Sequence, residues 1–286
     1  MGQSTVLYQK NLRNTLVEIW TEELPNNWRW NPYCYVGGTP EFVVNTAECI
    51  KNDTFVYYDG EACEKDGVYY LPRSQYKGID VVLACNSKPP SLGKHNIYWT
   101  NWFHQRQEDC LEFDERIVLS PYHQSIFGHN SRIVPHSCWP DKLQSTIKVR
   151  NQCLYTSSPD RGGEFLKEIW AEIELRTGAK LITTYRSDIS ESQMNELYKQ
   201  SEFWLHPGQG VELFCISAVK AQVAKCIPVV VPNMALETTV KYGVKTTLGN
   251  YKEALVEAIE NPPNIEEVNF GTWESVTREL FKNAEG

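Results

Sequence analysis

Gly210-Val211-Glu212-Leu213-Phe214-Cys215-Ile216-Ser217-Ala218-Val219-Lys220-Ala221-Gln222, running on to Pro228-Val229-Val230-Val231-Pro232, is the stretch that decides the fold. A loop with a single acid, Glu212, opens an apolar segment rich in small residues, which predicts a helix over 217–225. The β-branched run after it predicts a buried strand over 229–232. Upstream, Phe203-Trp204-Leu205-His206 reads as a further strand. Strand, loop, helix and strand in this order make a parallel-sheet unit with its helix on one face.

The same alternation extends outward in both directions. Downstream, helices are predicted over 237–242 and 251–260, with a short strand over 246–249. Asn261-Pro262-Pro263 stops the second helix. A final amphipathic helix over 272–283 carries Trp273, Val276, Leu280 and Phe281 on one side. Upstream, strands over 153–156 and 180–185 flank a helix over 164–176. Ser190 and Gln193 fit a capping box for a helix over 191–200. The polar segment 139–152 reads as a linker. Before it come strands over 15–20, 54–58, 68–71, 80–85, 96–100, 116–120 and 132–135, with a short helix over 122–127. A loop rich in Trp, Asn and Pro covers 26–32. Gly37-Gly38-Thr39-Pro40-Glu41 opens another helix, with Thr39 as cap and Pro40 at its first position. The pattern predicts α/β architecture: two doubly wound domains whose strand C-termini face a shared cleft.

Composition narrows the function classes. The 286 residues suffice for two modest domains with real cores. A net charge of -8 argues against general nucleic-acid or anionic-membrane binding, while leaving room for a local basic pocket. No apolar run approaches the roughly 20 residues of a membrane span, and the first ten residues lack a signal core. The nine cysteines show no CxxC pairing, which suggests reduced thiols in a cytoplasmic protein. Cys85, Cys215 and Cys226 sit in apolar segments as core residues. No His and Cys set has finger-like metal spacing.

Several polar residues interrupt this pattern where chemistry could sit. Arg161 lies in Ser157-Ser158-Pro159-Asp160-Arg161-Gly162-Gly163, after a strand and before a helix. A glycine-flanked guanidinium beside a helix N-terminus suits a phosphate. The bland alternative is a surface turn in which Asp160 and Arg161 pair with each other. Glu212 either meets a ligand or solvates a helix start. Gly37 and Gly38 either let a ligand approach the backbone or make an ordinary turn. Lys220 either faces a ligand or turns to solvent.

These motifs together resemble GT-B glycosyltransferases, especially family-4-like retaining enzymes (glycosyl transferases group 1). Those read Glu, seven residues, Glu, then Ala and a Pro-Val-Val strand; here Lys220 stands where the second Glu would be. The resemblance is strongest over 153–242 and at 36–41. It implies an N-terminal, acceptor-side Rossmann-like domain over 1–142, a nucleotide-sugar domain over 143–268, and a C-terminal helix over 269–286 that crosses back onto the first domain. It implies a metal-independent hexosyltransferase moving sugar, with retention, from a nucleoside-diphosphate sugar to a hydroxyl of a glycan, lipid or protein.

Residue by residue, the resemblance places Glu212 on the donor sugar and Arg161, with Ser158, on the diphosphate. Phe214, Cys215 and Ile216 then open the helix beside it. An eight-residue helical rise of about 12 Å separates sugar from ribose positions. An ammonium can only donate where a carboxylate accepts. Lys220 therefore implies weakened ribose recognition, a shift toward a more anionic group, or reduced activity. Gly37 and Gly38 match the glycine loop of the first domain. His104 matches a catalytic-side histidine near the donor sugar, with Asn101 as the other candidate for that position. Tyr122, His123 and His206 are cleft candidates, and Glu237 matches the element that closes the donor pocket. A non-catalytic sugar-nucleotide or glycan-binding protein is the alternative reading.

Overall fold

The computed structural model describes residues 15–21, 32, 38–52, 54–144, 147–184 and 189–284. It divides into two compact units, Met1–His136 with Thr272–Gly286, and Ser137–Gly271.

The first unit is built on strands β1 (Val17–Thr21), β2 (Thr54–Tyr58), β3 (Cys63–Lys65), β4 (Val68–Pro72), β5 (Val81–Cys85), β6 (His95–Trp99), β7 (Glu115–Val118) and β8 (Arg132–Ile133). They form one sheet in the order β3-β4-β2-β1-β5-β6-β7-β8. Neighbours run parallel except β3 and β4. That hairpin was not in the sequence reading. Asp66 and Gly67, both at positive φ (54° and 83°), make its two-residue turn, and Asp-Gly is a strong sequence signal for one.

Helix α1 (Gly38–Ile50) buries nearly all its residues. It opens earlier than the predicted cap at Thr39. The Thr39 hydroxyl instead accepts from Asn86 Nδ2 at 3.0 Å and donates to Asn101 Oδ1 at 3.3 Å. A second helix, α2 (Pro121–Phe127), is capped by Ser120, whose Oγ accepts from His123 N–H.

The second unit contains β9 (Val149–Tyr155), β10 (Lys180–Thr183), β11 (Ser201–His206), β12 (Ile227–Val230) and β13 (Val244–Lys245). They make a parallel sheet in the order β10-β9-β11-β12-β13. Its helices are α3 (Pro140–Leu143), α4 (Gly163–Thr177), α5 (Glu191–Gln200), α6 (Ile216–Val223), α7 (Leu236–Thr239) and α8 (Tyr251–Glu260). Alternate strand residues feed two cores. Leu154, Trp204 and Val230 pack with Tyr198, Ala218 and Val219 on one side. Cys153, Tyr155, Phe203, Leu205 and Val229 pack with Leu166, Ile173 and Leu255 on the other. This is the period of a strand buried on both faces.

Two expectations need correction here. The segment 139–152 is not a linker: it holds α3 and the first residues of β9. After Val149 those residues are polar (Arg150, Asn151 and Gln152), so no apolar pattern marks them; pairing of Val149 with Ser201 and Gln152 with Lys180 makes them strand. The last strand lies at Val244–Lys245 rather than 246–249, where Leu248–Asn250 forms a 3-10 turn.

After the second unit the chain returns to the first as α9 (Trp273–Phe281), which packs on α1. Thr272 caps it, accepting from Ser275 N–H at 3.3 Å. Trp273 joins an aromatic group in which Phe42 stacks on Trp99 with centroids 4.0 Å apart. At its other end Arg132 donates to the carbonyl of Leu280 at 3.0 Å and pairs with Glu115. Among the described residues no helix is long and apolar enough to cross a membrane.

Candidate functional site

The second sheet reverses its winding between β9 and β11, and the loops leaving the C-terminal ends of these two strands meet there. Open α/β sheets bind ligands at such points. The loop after β9 forms a 3-10 turn at Pro159–Arg161 and ends on Gly162, at φ 117°, where α4 begins. The first amides of a helix have no partner inside it. Gly162 is required twice over. Its φ is left-handed, and a Cβ there would stand 2.7 Å from Pro207 Cβ. This close approach clamps the two loops together.

The loop after β11 runs from Pro207 to Cys215. The His206 Nδ1 accepts the Gly208 N–H at 3.1 Å. Glu212 is tied at its backbone: its carbonyl accepts from Ala235 N–H at 3.2 Å, and its N–H meets Met234 Sδ at 3.4 Å. Asn233 donates its side-chain amide to the Gly208 carbonyl. The third loop, after β12, therefore braces the second.

Arg161 Nη1 donates to Glu212 Oε2 at 2.8 Å, so the turn and the loop are joined by an ion pair. The two partners differ in exposure: the Arg161 side chain is 39% exposed and that of Glu212 only 9%. Burial pushes the Glu212 carboxyl up. Arg161, the Phe214 N–H and the Cys215 thiol pull the other way without cancelling it. Burial, then the Glu212 charge, holds the Cys215 thiol protonated. His206 is fully buried. Burial, reinforced by Arg161, lowers its pKa to about 4.

Other expected residues fall as follows. Asp160 is held low first by its hydrogen bond with Ser158, so it is not the dedicated partner of Arg161. Ser158, Phe214 and Ile216 are half-buried, and Glu237 is exposed on α7. Lys220 is buried on α6 rather than turned to solvent, and its charge acts on the buried Tyr198 hydroxyl.

In the first unit, Asn86 follows β5 and organises the strand ends. Its side chain donates to Asn101 Oδ1 at 2.8 Å and accepts the Asn101 N–H at 2.9 Å. A Cβ on Gly38 would lie 3.2 Å from Asn101 Nδ2, so these two expected residues do meet. His104 is exposed and packs against Trp102, with centroids 4.8 Å apart. Tyr122 is half-buried. His123 is fully buried, accepting the Leu119 N–H at 3.3 Å. Gly37 lies outside the described residues. The sequence reading missed Asn86, Pro207, Asn233 and Met234. Only Asn86 had a visible signal, a polar residue directly after a buried strand.

His206, Glu212 and Cys215 bring potential ligand atoms within 4.8 Å of one another. In the metal-free protein the His206 Nδ1 accepts the Gly208 N–H, so its Nε2 carries the ring proton; burial holds the Cys215 proton on, and Arg161 holds the carboxylate.

No protein-family model and no curated protein matches the chain. Solved structures do. Anabaena HepE, crystallised with UDP-glucose, superposes with a TM-score of 0.63 at 12% identity, covering 94% of each chain. The α,α-trehalose-phosphate synthase (UDP-forming) of Burkholderia xenovorans gives 0.62 at 9% identity over 94% of this chain and 96% of that one. A glycosyltransferase of Rickettsia africae gives 0.59 at 10% identity over 95% and 98%. With the two largely parallel sheets and the returning C-terminal helix, these likenesses define the fold: the chain has the GT-B fold of glycosyltransferases.

Proposed function

We propose that the chain is a glycosyltransferase that takes a nucleoside-diphosphate sugar as donor and moves the sugar, with retention and without a metal, to an acceptor hydroxyl. The observation that carries this reading is the meeting of Arg161 and Glu212 at the winding reversal of the second sheet. Arg161 suits a diphosphate, bidentate and backed by the N-terminus of α4. Glu212 suits sugar hydroxyls, which it accepts as hydrogen bonds. The likeness to HepE, seen with UDP-glucose, supports a uridine donor.

In this reading Arg161 and the α4 amides stabilise the departing diphosphate electrostatically. Ser158, Phe214, Cys215 and Ile216 line the donor, and Glu237 closes it. Gly37, Gly38, Asn101, His104 and Tyr122 are the first unit's candidates, whereas His123 is fully buried and serves the fold. The acceptor-side domain is the first unit, Met1–His136 with Thr272–Gly286, and the nucleotide-sugar domain is the second, Ser137–Gly271. A cytoplasmic location fits the described cysteines, all of which are free.

Lys220 favours a second reading, a protein that binds donor without turning it over. A buried ammonium on α6 offers donors only. One experiment separates the readings. UDP-glucose at 100 times its dissociation constant adds about 2.7 kcal/mol to stability. A thermal shift of that size, lost in Arg161→Ala, with UDP released on adding acceptor glycans, supports the transferase. A shift without UDP release supports the binding protein. No shift with any nucleotide sugar overturns both.

A further inference from the structure

His206 presents an unmet donor to the site. Its Nδ1 accepts the Gly208 N–H, so the neutral ring carries its proton on Nε2. That nitrogen is buried and has no hydrogen-bond partner. An unsatisfied buried N–H is left without the hydrogen bond that water would give it, which is unfavourable. Glu212 Oε2 lies 3.9 Å from Nε2, about one ångström beyond hydrogen-bond reach. Arg161 holds that same oxygen at 2.8 Å. The groups facing His206 here are Arg161, Glu212 and Cys215.

We infer that His206 is a positioning residue for Glu212: when an anionic diphosphate draws Arg161 away, the His206 Nε2–H closes the gap and donates to Glu212 Oε2. The inference rests on the proposed donor reading for its trigger. Arg161 is the partner able to move, since its side chain is much the more exposed of the pair. Glu212 would otherwise keep only the Phe214 N–H and the Cys215 thiol. A buried carboxylate so poorly served takes up a proton, and the oxygen that carries it turns from acceptor to donor and is lost to a sugar hydroxyl that must donate there. The histidine donor keeps it ionised and aimed. It also converts an unsatisfied N–H into a satisfied one, which offsets part of the cost of breaking the ion pair.

The test is imidazole nitrogen NMR on the full chain labelled with 15N-histidine, the His206 signals being assigned by their loss in His206→Gln. In the free protein Nε2 carries the proton and Nδ1 does not. Two changes should each move the Nε2–H proton downfield by about 1 ppm or more: Arg161→Ala without ligand, and saturating UDP in wild type. UDP that binds by calorimetry and leaves the signal in place overturns the inference, as does a proton found on Nδ1. UDP that fails to bind removes the donor reading and its trigger, while the Arg161→Ala spectrum still decides whether His206 reaches Glu212. His206→Leu should weaken UDP roughly tenfold, whereas His206→Gln, which keeps a donor at this reach, should stay within about threefold. Equal losses in the two variants would mean that His206 only fills space.

Discussion

Glu212 and Arg161 restrain each other, and the consequence can be measured residue by residue. In the free protein the carboxylate occupies the guanidinium that the proposed reading gives to the diphosphate. Glu212→Gln weakens that restraint and leaves a group of the same shape. UDP, which lacks the sugar, should therefore bind Glu212→Gln at least as tightly as wild type. Turnover of the nucleotide sugar should fall about 100-fold, the worth of one charge-assisted hydrogen bond of about 3 kcal/mol. Calorimetry with UDP and a UDP-release assay read the two halves separately. Weaker UDP binding in this variant would mean that the ion pair orders Arg161 for the phosphates instead of withholding it. The residue types of this site were legible in the sequence because each breaks a local pattern: an acid at a helix start, and an arginine in a glycine turn. The direction in which a buried side chain points was not. The histidine at the end of Phe203-Trp204-Leu205-His206 is one more strand residue on paper. Only Gly208, two residues on, fixes its tautomer. Lys220 likewise gives no local hint that its helix face is buried.

Elements were legible where their signals are local. Ser190 and Gln193 do form the reciprocal cap, at 3.2 and 2.8 Å. The polar start of β9 was not legible, because its partners Lys180 and Ser201 lie far along the chain. The returning helix α9 combines both kinds of information. Its apolar stripe is local, while the surface that receives it is a stack of Phe42, Trp99 and His136 from distant positions. Trp273 is fully buried against this stack. Trp273→Ala should thus cost the first unit about 3–5 kcal/mol, a transfer loss plus a cavity. Urea unfolding followed by circular dichroism measures it. A loss below about 1 kcal/mol would mean that the Arg132 contacts with the far end of α9 hold the helix on their own.

At the scale of the whole molecule two buried histidines, His123 in the first unit and His206 in the second, set a pH dependence. His123 and His206 are both lowered by burial from 6.5 to about 4. Each is neutral when folded and takes up a proton when unfolded. Stability is therefore fully present above pH 6.5 and is lost as the pH falls toward 4. Between pH 7 and pH 5 each ring should remove about 2 kcal/mol. Glu115, whose burial is outweighed by Arg132 and His95 so that its carboxyl is held low, loses its contribution as the pH falls through the ordinary carboxylate range and below, beneath most of this window. Glu212 works in the opposite sense. Its pKa is raised on folding, so the folded state gains a proton that the unfolded state lacks, and this contribution is lost as the pH rises. It offsets His206 within the second unit. The first unit, with His123 and no such carboxylate beside it, should show the steeper acid loss. Urea midpoints at pH 7 and pH 5 check each part. His123→Gln, which keeps an acceptor for the Leu119 N–H, should flatten the dependence of the first unit. Glu212→Gln should steepen that of the second. If Glu212→Gln leaves the second slope unchanged, the carboxylate is fully ionised in the folded protein, and its ion pair with Arg161 outweighs its burial.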